Sequence, residues 1–448
     1  MSSQIRQIKM TQPIDSYTPD SYMLYDKRPV SEACEHGFLE KFYSRVDVRN
    51  GVLEFVVEGN AEHVIVPNEI YLKVVVEISG QTPRVDANTP PKTIHTEAKI
   101  STSNNLLHSL FESVEVYVGK QTTTKNDKHY GYCSLFQTLC NYNEDAWRTY
   151  FRLAGWAKDK SGHMDAIDNT NTGFEERKKF FKGTPARCEL IGKLFCPLFF
   201  QKKVLPTQTP LRVVLKRMSN DFVLMHEDGD FDLKVVEAQL MVQKVALVPG
   251  LRESYNQMME DGNPVPYFLN TPNLNFYTIE AGSSQFMRDN LFLGKVPERV
   301  VIAMVETEAY HGSRSKNPYN FQHFDLMEIC MYKDGMPYPR PMIKLDIENS
   351  ICADAYHYFL TSLGGACTRN VPMLTMDEYM QGYTLFSYDM SPDQMGSLNP
   401  GTLINMNSNI RLEMKFKRPL TKNITLLVYY QIGQLMQIHR DRQVTVDF

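Results

Sequence analysis

The 448-residue chain has the composition of a folded protein, with 42% hydrophobic and 22% charged residues, which excludes a disordered chain. Its formal net charge of -4 argues against a protein whose main task is to coat nucleic acid, because such proteins carry a strong positive charge. No apolar run approaches the ~18 residues of a membrane-spanning helix, so we expect no membrane span.

Residues 1–45 are polar and proline-containing, which predicts an extended N-terminal arm with a short helix near residues 35–42. From Val52 onward, short segments rich in Val and Ile are separated by Gly, Asn and Pro, the pattern that is typical of β-strands. The strands predicted in this half cover residues 52–59, 63–67, 70–79, 113–119, 187–194, 211–218 and 231–247.

A helical region interrupts these strands. Leu135 and Leu139 recur at helical spacing, which predicts a helix over Tyr130–Asn141. A second helix is predicted over residues 144–153, with Asn143 as its N-cap, and a shorter one over residues 173–181. We therefore predict a first domain over residues 46–250, with a helical insertion near residues 126–158.

A Pro- and Asn-rich stretch over residues 262–275 indicates a boundary, with a short helix at 253–259 before it. We predict a linker over residues 251–271 and a second domain over residues 272–448. Its predicted strands cover residues 275–282, 299–307, 324–335, 382–390, 409–417 and 423–438, with a helical insertion near residues 345–382. Because both halves repeat one plan, the predicted fold is all-β, with two tandem eight-stranded jelly rolls.

The sequence contains no motif of the common catalytic or nucleotide-binding types, such as GxxxxGK[ST], GxSxG or HExxH. We therefore predict no catalytic residue, no metal and no cofactor. The acidic stretch at residues 226–230 lacks the ligand spacing of a calcium loop, and its Asp-Gly pair predicts a β-hairpin turn instead. The pair Asp334-Gly335 predicts a second hairpin by the same reasoning.

Basic residues cluster at the ends of the last predicted strands. We interpret them as a solvated edge, because charge protects sheet edges from unwanted pairing. Contact with an acidic partner or with nucleic acid is the alternative. The residues concerned are Lys415, Lys417, Arg418, His439, Arg440 and Arg442.

Two long stretches of the second half resemble a known family. They are RVVIAMVETEAYHGSRSKNPYNFQHFDLMEICMYKDGMPYP at residues 299–339 and GYTLFSYDMSPDQMGSLNPGTLINMNSNIRLEMKFKRPLTKNITLLVYYQI at residues 382–432. Both resemble the major capsid (hexon) proteins of the Maverick/Polinton transposons and the adintoviruses. The first half resembles them more loosely, through NLLHSLFESVEVYVGK at residues 105–120.

The resemblance implies a double jelly-roll capsid protein that acts in the virion. It implies a homotrimer with a pseudo-hexagonal outline, assembly with neighbouring capsomers inside the host cell, and an icosahedral shell around double-stranded DNA. Penton and minor capsid proteins are the further partners that it implies, and direct contact with nucleic acid stays open. It supplies no catalytic residues.

The residues that carry the family motif are expected to be structural. We expect residues 388–392 to shape the exit from a strand and Arg411 to meet a carboxylate. The motif residues are Tyr383, Phe386, Tyr388, Asp389, Pro392, Asn405, Arg411 and Tyr429.

Two other classes of function remain open from the sequence. A β-sandwich protein that binds a carbohydrate or a receptor would need an exposed aromatic cleft. An enzyme built on a double sandwich would need titratable side chains that converge in one pocket.

Overall fold

The computed structural model describes residues 33–48, 51–82, 93, 98–124, 128–292, 295–364, 374–394 and 408–447. Strands are more common than helices in this part of the chain. In the first half they are β1 Cys34–Tyr43, β2 Val52–Val57, β3 His63–Gln81, β4 Ile100–Thr102, β5 Phe111–Val118, β6 Gln121–Thr122, β7 Ala186–Gly192, β8 Leu211–Arg217, β9 Leu224–His226 and β10 Asp230–Leu247.

The second half repeats this organisation after a helical connection. Its strands are β11 Val265–Ile279, β12 Gln285–Arg288, β13 Arg299–Glu306, β14 Leu326–Lys333, β15 Met336–Pro337, β16 Ile343–Lys344, β17 Phe386–Asp389, β18 Ile410–Phe416, β19 Ile424–Ile438 and β20 Val444–Asp447.

The two halves share one strand order. The first half forms the sheets β1-β10-β3-β7 and β2-β8-β5-β6, and the second forms β11-β19-β13-β17 and β12-β18-β14-β15. All of these neighbours are antiparallel. Strands β16 and β20 extend the second pair of sheets, while β4 and β9 form a separate ribbon. Eight strands in two facing four-stranded sheets, twice over, confirm the predicted pair of jelly rolls.

Alternating side chains explain why these segments pack as sandwiches. Along β3, Leu72, Val74 and Val76 are fully buried, while Lys73 and Val75 between them are partly exposed. This period of two places one face of the sheet in the core. Residues 424–430 of β19 are buried without alternation, which is expected for a strand that is covered on both faces.

The helices lie in the connections between strands. In the described residues they are α1 Leu106–Ser109, α2 Tyr130–Asn141, α3 Glu144–Arg148, α4 Thr172–Lys178, α5 Asn220–Val223, α6 Pro249–Glu260, α7 Thr307–His311, α8 Ala353–Ser362 and α9 Met376–Met380, with 3-10 turns at Phe151–Ala154, Pro197–Phe200 and Ile347–Asn349. No helix in this part of the chain combines the length and apolar character needed to cross a membrane.

The predicted insertions are confirmed as helical. Helices α2, α3 and α4 lie between β6 and β7, and α8 and α9 lie between β15 and β17, the equivalent place in the second half. Helix α2 has the predicted bounds, and the Asn143 side chain accepts a hydrogen bond from the backbone N–H of Ala146 at 3.0 Å. The second predicted helix ends early, at Arg148.

Two local predictions are wrong. Residues 35–42 belong to strand β1 instead of a helix, because β1 pairs with β10 along its length and this pairing overrides local apolar spacing. The turn at residues 226–230 is not a hairpin, since β9 pairs with β4 while β10 pairs with β3. The Asp334-Gly335 hairpin is confirmed: both residues have positive φ, 50° and 87°, and join the paired strands β14 and β15.

Two segments that were predicted to be an arm and a linker contain regular secondary structure. The end of the predicted arm, residues 1–45, contains β1, and the predicted linker, residues 251–271, contains most of α6 and the start of β11. The short helix predicted at residues 253–259 is confirmed as part of α6. Residues 1–32 lie outside the described part of the chain, and the domain boundaries stay predictions.

Candidate functional site at the junction of the two halves

Helix α2 forms an apolar contact between the two halves. The Phe136 ring lies 5.3 Å from that of Phe321 and 5.4 Å from that of Tyr429, and all three residues are buried. Tyr132 packs edge-on against Tyr319 at 5.6 Å and donates a hydrogen bond to the carbonyl oxygen of Pro318. Such aromatic packing contributes a large apolar area, so this contact holds the halves together.

A second contact between the halves is polar and is centred on Asp159. This carboxylate, from the insertion of the first half, lies 2.7 Å from Arg177 Nη2, and both side chains are almost fully buried. Asn171 donates to Asp159 Oδ1 at 2.9 Å. From the second half, Asn317 donates to Oδ2 at 3.0 Å, and the Tyr383 hydroxyl donates to the Asp159 carbonyl oxygen at 3.0 Å.

The Arg177 guanidinium is bonded on its other sides as well. It donates to the carbonyl oxygens of Thr102 at 2.7 Å and Ala157 at 2.6 Å. A buried ion pair avoids a large desolvation cost only when its remaining hydrogen-bonding groups are satisfied in this way. The Asp159 network therefore accepts one relative placement of the two halves.

Ion pairs tie further loops together near this network. Glu306, at the end of β13, binds Lys422 at 3.0 Å and Lys316 at 3.2 Å. Burial disfavours its charged form, but the hydrogen bonds from these two lysines outweigh that effect and lower the pKa of the Glu306 carboxyl. Arg314 of the second half reaches Asp221 of the first at 2.8 Å. The connecting loops of both halves are thus joined by charged contacts.

The four aromatic residues of the predicted motif are buried in the second half. Tyr383 joins the Asp159 network, while Phe386 and Tyr388 are buried in β17. The Tyr388 hydroxyl has no hydrogen-bond partner among the described residues. Tyr429 of β19 contacts Phe136 in the apolar contact. The structure thus brings Tyr383 and Tyr429 to the junction, whereas Phe386 and Tyr388 support the sandwich.

The remaining motif residues lie at strand ends and edges. The Asp389 carboxylate accepts hydrogen bonds from the N–H and hydroxyl of Ser391, which closes a turn directly after β17, and exposed Pro392 follows. Arg411 lies 2.9 Å from Glu413, which confirms the expected carboxylate contact. Asn405 falls outside the described residues. That these residues form a shared family motif stays a prediction.

The central residues of the junction were missed from the sequence. Asp159 lies in a polar stretch without periodicity, and Asn317 lies in a loop, so neither carried a recognisable signal. Asn171 had one, because an Asn directly before a helix is a typical N-cap, and its side chain accepts from the backbone N–H of Phe174.

Known proteins share the whole of this architecture. A chain of the Sputnik virophage structure superposes with a TM-score of 0.65 at 10% identity, covering 98% of this chain and 93% of that chain. The Faustovirus major capsid protein gives 0.59 at 8% identity, with coverages of 97% and 96%. The mavirus major capsid protein gives 0.54 at 10%, with 98% and 96%. The fold is a double jelly roll.

In sequence, the chain is similar to a curated protein of comparable length. It is an uncharacterized protein of Caenorhabditis elegans that is 22% identical over 404 residues, which cover 89% of this chain and 93% of that protein. No family model matches the sequence. The similarity to the solved structures therefore establishes the fold across the chain.

Three of the six basic residues at the last strands of the double jelly roll are paired with carboxylates. Lys415 lies 3.0 Å from Glu328, and Lys417 lies 2.8 Å from Glu348. Arg418 also contacts Glu348. The predicted sheet edge is wrong for these three residues, because β18, which carries or directly precedes them, lies between β12 and β14. Since their charges are paired, they offer little free positive charge for a phosphate backbone.

Two cavities of the double jelly roll are relevant to ligand binding. A cleft of about 400 Å³ between the halves is lined by Phe195, Phe200 and Phe268, the last two being 39% and 50% exposed. A larger cavity of about 750 Å³ contains Arg187, which is ion-paired with Glu77. The described residues contain no cluster of three potential metal ligands.

Proposed function

We propose that this protein is a major capsid protein of the Maverick/Polinton–adintovirus type. It forms homotrimers with a pseudo-hexagonal outline, and these capsomers assemble in the host cell into an icosahedral shell around double-stranded DNA. The proposal rests above all on the double jelly roll, which matches viral capsid proteins over nearly the full length of the chain.

The geometry of the chain supports this proposal. Two sandwiches with one strand order are locked together by the apolar contact at Phe136 and the polar contact at Asp159. Three such chains supply six similar sandwiches, and six similar units tile a nearly hexagonal lattice. We propose that the motif residues maintain this frame, that penton and minor capsid proteins are further partners, and that the protein catalyses no reaction.

The second candidate is a carbohydrate- or receptor-binding protein. The cleft lined by Phe195, Phe200 and Phe268 favours it, because exposed aromatic rings beside polar groups suit the faces of sugars. Within the cleft, the Asn270 amide already donates to Glu298 at 2.9 Å. This intramolecular bond removes polar groups that a sugar would use, which ranks the candidate second.

Size-exclusion chromatography with light scattering, followed by negative-stain microscopy, tests the proposal on the full-length chain. We expect a particle of three times the chain mass with a hexagonal outline, and shells at high protein concentration. A monomer at micromolar concentration that binds glycans on an array would replace the capsid proposal with the second candidate.

A further inference from the structure

Strands β1 and β11 occupy equivalent places in the two jelly rolls. Each is the first strand of its half, and each lies at the edge of a sheet beside the last long strand of that half, β10 or β19. Each of the two strands therefore has a row of backbone N–H and C=O groups that no neighbouring strand of its own sheet pairs with.

The edge at β11 is covered by the first half of the same chain. Gln201 donates a hydrogen bond to the carbonyl oxygen of Phe268 at 2.6 Å, and Lys203 donates to that of Pro266 at 2.9 Å. The buried Tyr267 hydroxyl donates to the carbonyl oxygen of Val204 at 2.7 Å. The connection between β7 and β8 thus serves as a cover for the first strand of the second half.

The equivalent surface at β1 is open. Leu39 and Tyr43 are 49% and 62% exposed, and Phe38 is 38% exposed. The side-chain contacts found for β1 come from its own half: His63 packs against Phe38 at 5.1 Å, and Lys244 binds Glu40 at 2.7 Å. In the described part of the chain, no residue of the second half covers this strand as the first half covers β11.

This difference follows from the order of the halves. The first half covers the second, which is a head-to-tail contact, and such contacts close into rings when the rotation between successive units allows it. The described residues form two jelly rolls, and the second of them does not cover β1 in its own chain. The second half of another copy can take that place.

We infer that β1 is the surface on which the second half of another copy of this chain docks, with Leu39 and Tyr43 at the centre of the contact. This inference rests on the proposed function, since it gives the capsomer its contact between subunits. Apolar side chains in an otherwise paired edge strand suit such a partner, because they lose exposed area while Lys244 and Glu40 already satisfy each other.

The test replaces the two central side chains with aspartate. The double variant Leu39→Asp/Tyr43→Asp places two charges in the inferred contact, and its matched control, Met336→Asp/Ile351→Asp, alters residues that are 71% and 61% exposed elsewhere. We expect the β1 variant to raise the dissociation constant of the oligomer about 100-fold, as the loss of two central interface side chains does, while the control assembles like the wild type. Circular dichroism and thermal unfolding verify that both variants fold.

Cross-linking adds a positive readout. Lys41 is exposed on β1, and in a mixture of ¹⁴N- and ¹⁵N-labelled protein we expect isotopically mixed cross-links from Lys41 to lysines of the second half. If the wild type is trimeric but the β1 variant assembles normally, or if Lys41 is linked only within its own chain, this inference fails and the capsomer proposal stands. A wild type that remains monomeric overturns both.

Discussion

The two contacts between the jelly rolls differ in kind. At α2 the contact is aromatic and buried, with Phe136 between Phe321 and Tyr429. At Asp159 it is an ion pair surrounded by amide and hydroxyl donors from both halves. Apolar packing stabilises many similar arrangements to a similar degree, whereas hydrogen bonds to a buried carboxylate accept very few.

The two contacts therefore have different roles. The aromatic contact supplies adhesion between the halves, and the polar contact selects their relative orientation. A chain that holds two sandwiches at a set angle to each other needs both. Variants that remove one contact at a time separate these two roles.

Asp159→Ala is expected to have the largest effect. It leaves the Arg177 guanidinium buried without its counter-ion and removes one of the two acceptors of the Asn171 and Asn317 amides, which also donate to the Met164 carbonyl oxygen. Removal of one partner of a buried ion pair destabilises a protein by about 3–5 kcal/mol, and the added orphaned donors place this variant near the upper end. Urea unfolding followed by tryptophan fluorescence measures the loss.

The matched control is Asp261→Ala, which removes an exposed carboxylate after α6 and should change stability by less than about 0.5 kcal/mol. An Asp159→Ala variant as stable as this control would mean that the network does not orient the halves. The orientation itself is checked by small-angle scattering, where the variant should show a broader distribution of distances.

Phe136→Ala tests the aromatic contact. It opens a cavity between Phe321 and Tyr429, and a buried Phe-to-Ala change costs about 3–5 kcal/mol, so we expect a loss of about 4 kcal/mol. Unlike Asp159→Ala, it should leave the relative orientation of the halves unchanged in scattering, because the polar network is intact. Met336→Ala, at an exposed residue, provides the control; equal losses in the two variants would argue against the contact.

A smaller effect is expected from acid, through His108 beside α2. Burial lowers the pKa of His108 to about 3, and its Nδ1 lies 2.8 Å from the Tyr130 hydroxyl. In the unfolded chain the pKa is about 6.5, so below that pH the unfolded state takes up a proton that the folded state refuses. Stability is therefore complete above about pH 7 and falls as the pH is lowered.

The expected slope is about 1.4 kcal/mol per pH unit below pH 6.5, or roughly 2 kcal/mol by pH 5. His108→Gln keeps a neutral polar side chain of similar size, so its stability should depend less on pH by that amount. Urea midpoints at pH 7 and pH 5 for both proteins measure the difference. Parallel pH dependences would show that His108 is protonated in the folded protein.

The sequence predicted the strands and helices of the two jelly rolls better than the contacts between the two halves. Residues 231–247 could be recognised as a strand by their alternation, and residues 423–438 by a short apolar run with β-branched and aromatic residues, because both are local signals. Helix α2 was recognised by its apolar spacing. Strand β1 was not, because only its pairing with β10 distinguishes it from a helix.

The candidate site depended on contacts that are distant in the chain. Asp159 meets Asn317 across 158 positions and Tyr383 across 224. No local pattern in the sequence indicates such a long-range contact, so the role of these residues could not be predicted. Tyr383 was singled out through the family resemblance, although its hydrogen bond to Asp159 was not foreseen.

The placement of both helical insertions between the same two strands has a consequence for the diversity of such proteins. In each half the chain leaves the sandwich after the fifth strand of the jelly roll and returns at the sixth. Additional sequence at these points lengthens a connection between strands without disturbing strand register. Relatives can therefore vary the length of these connections at two fixed positions while the strand order of both sandwiches stays the same.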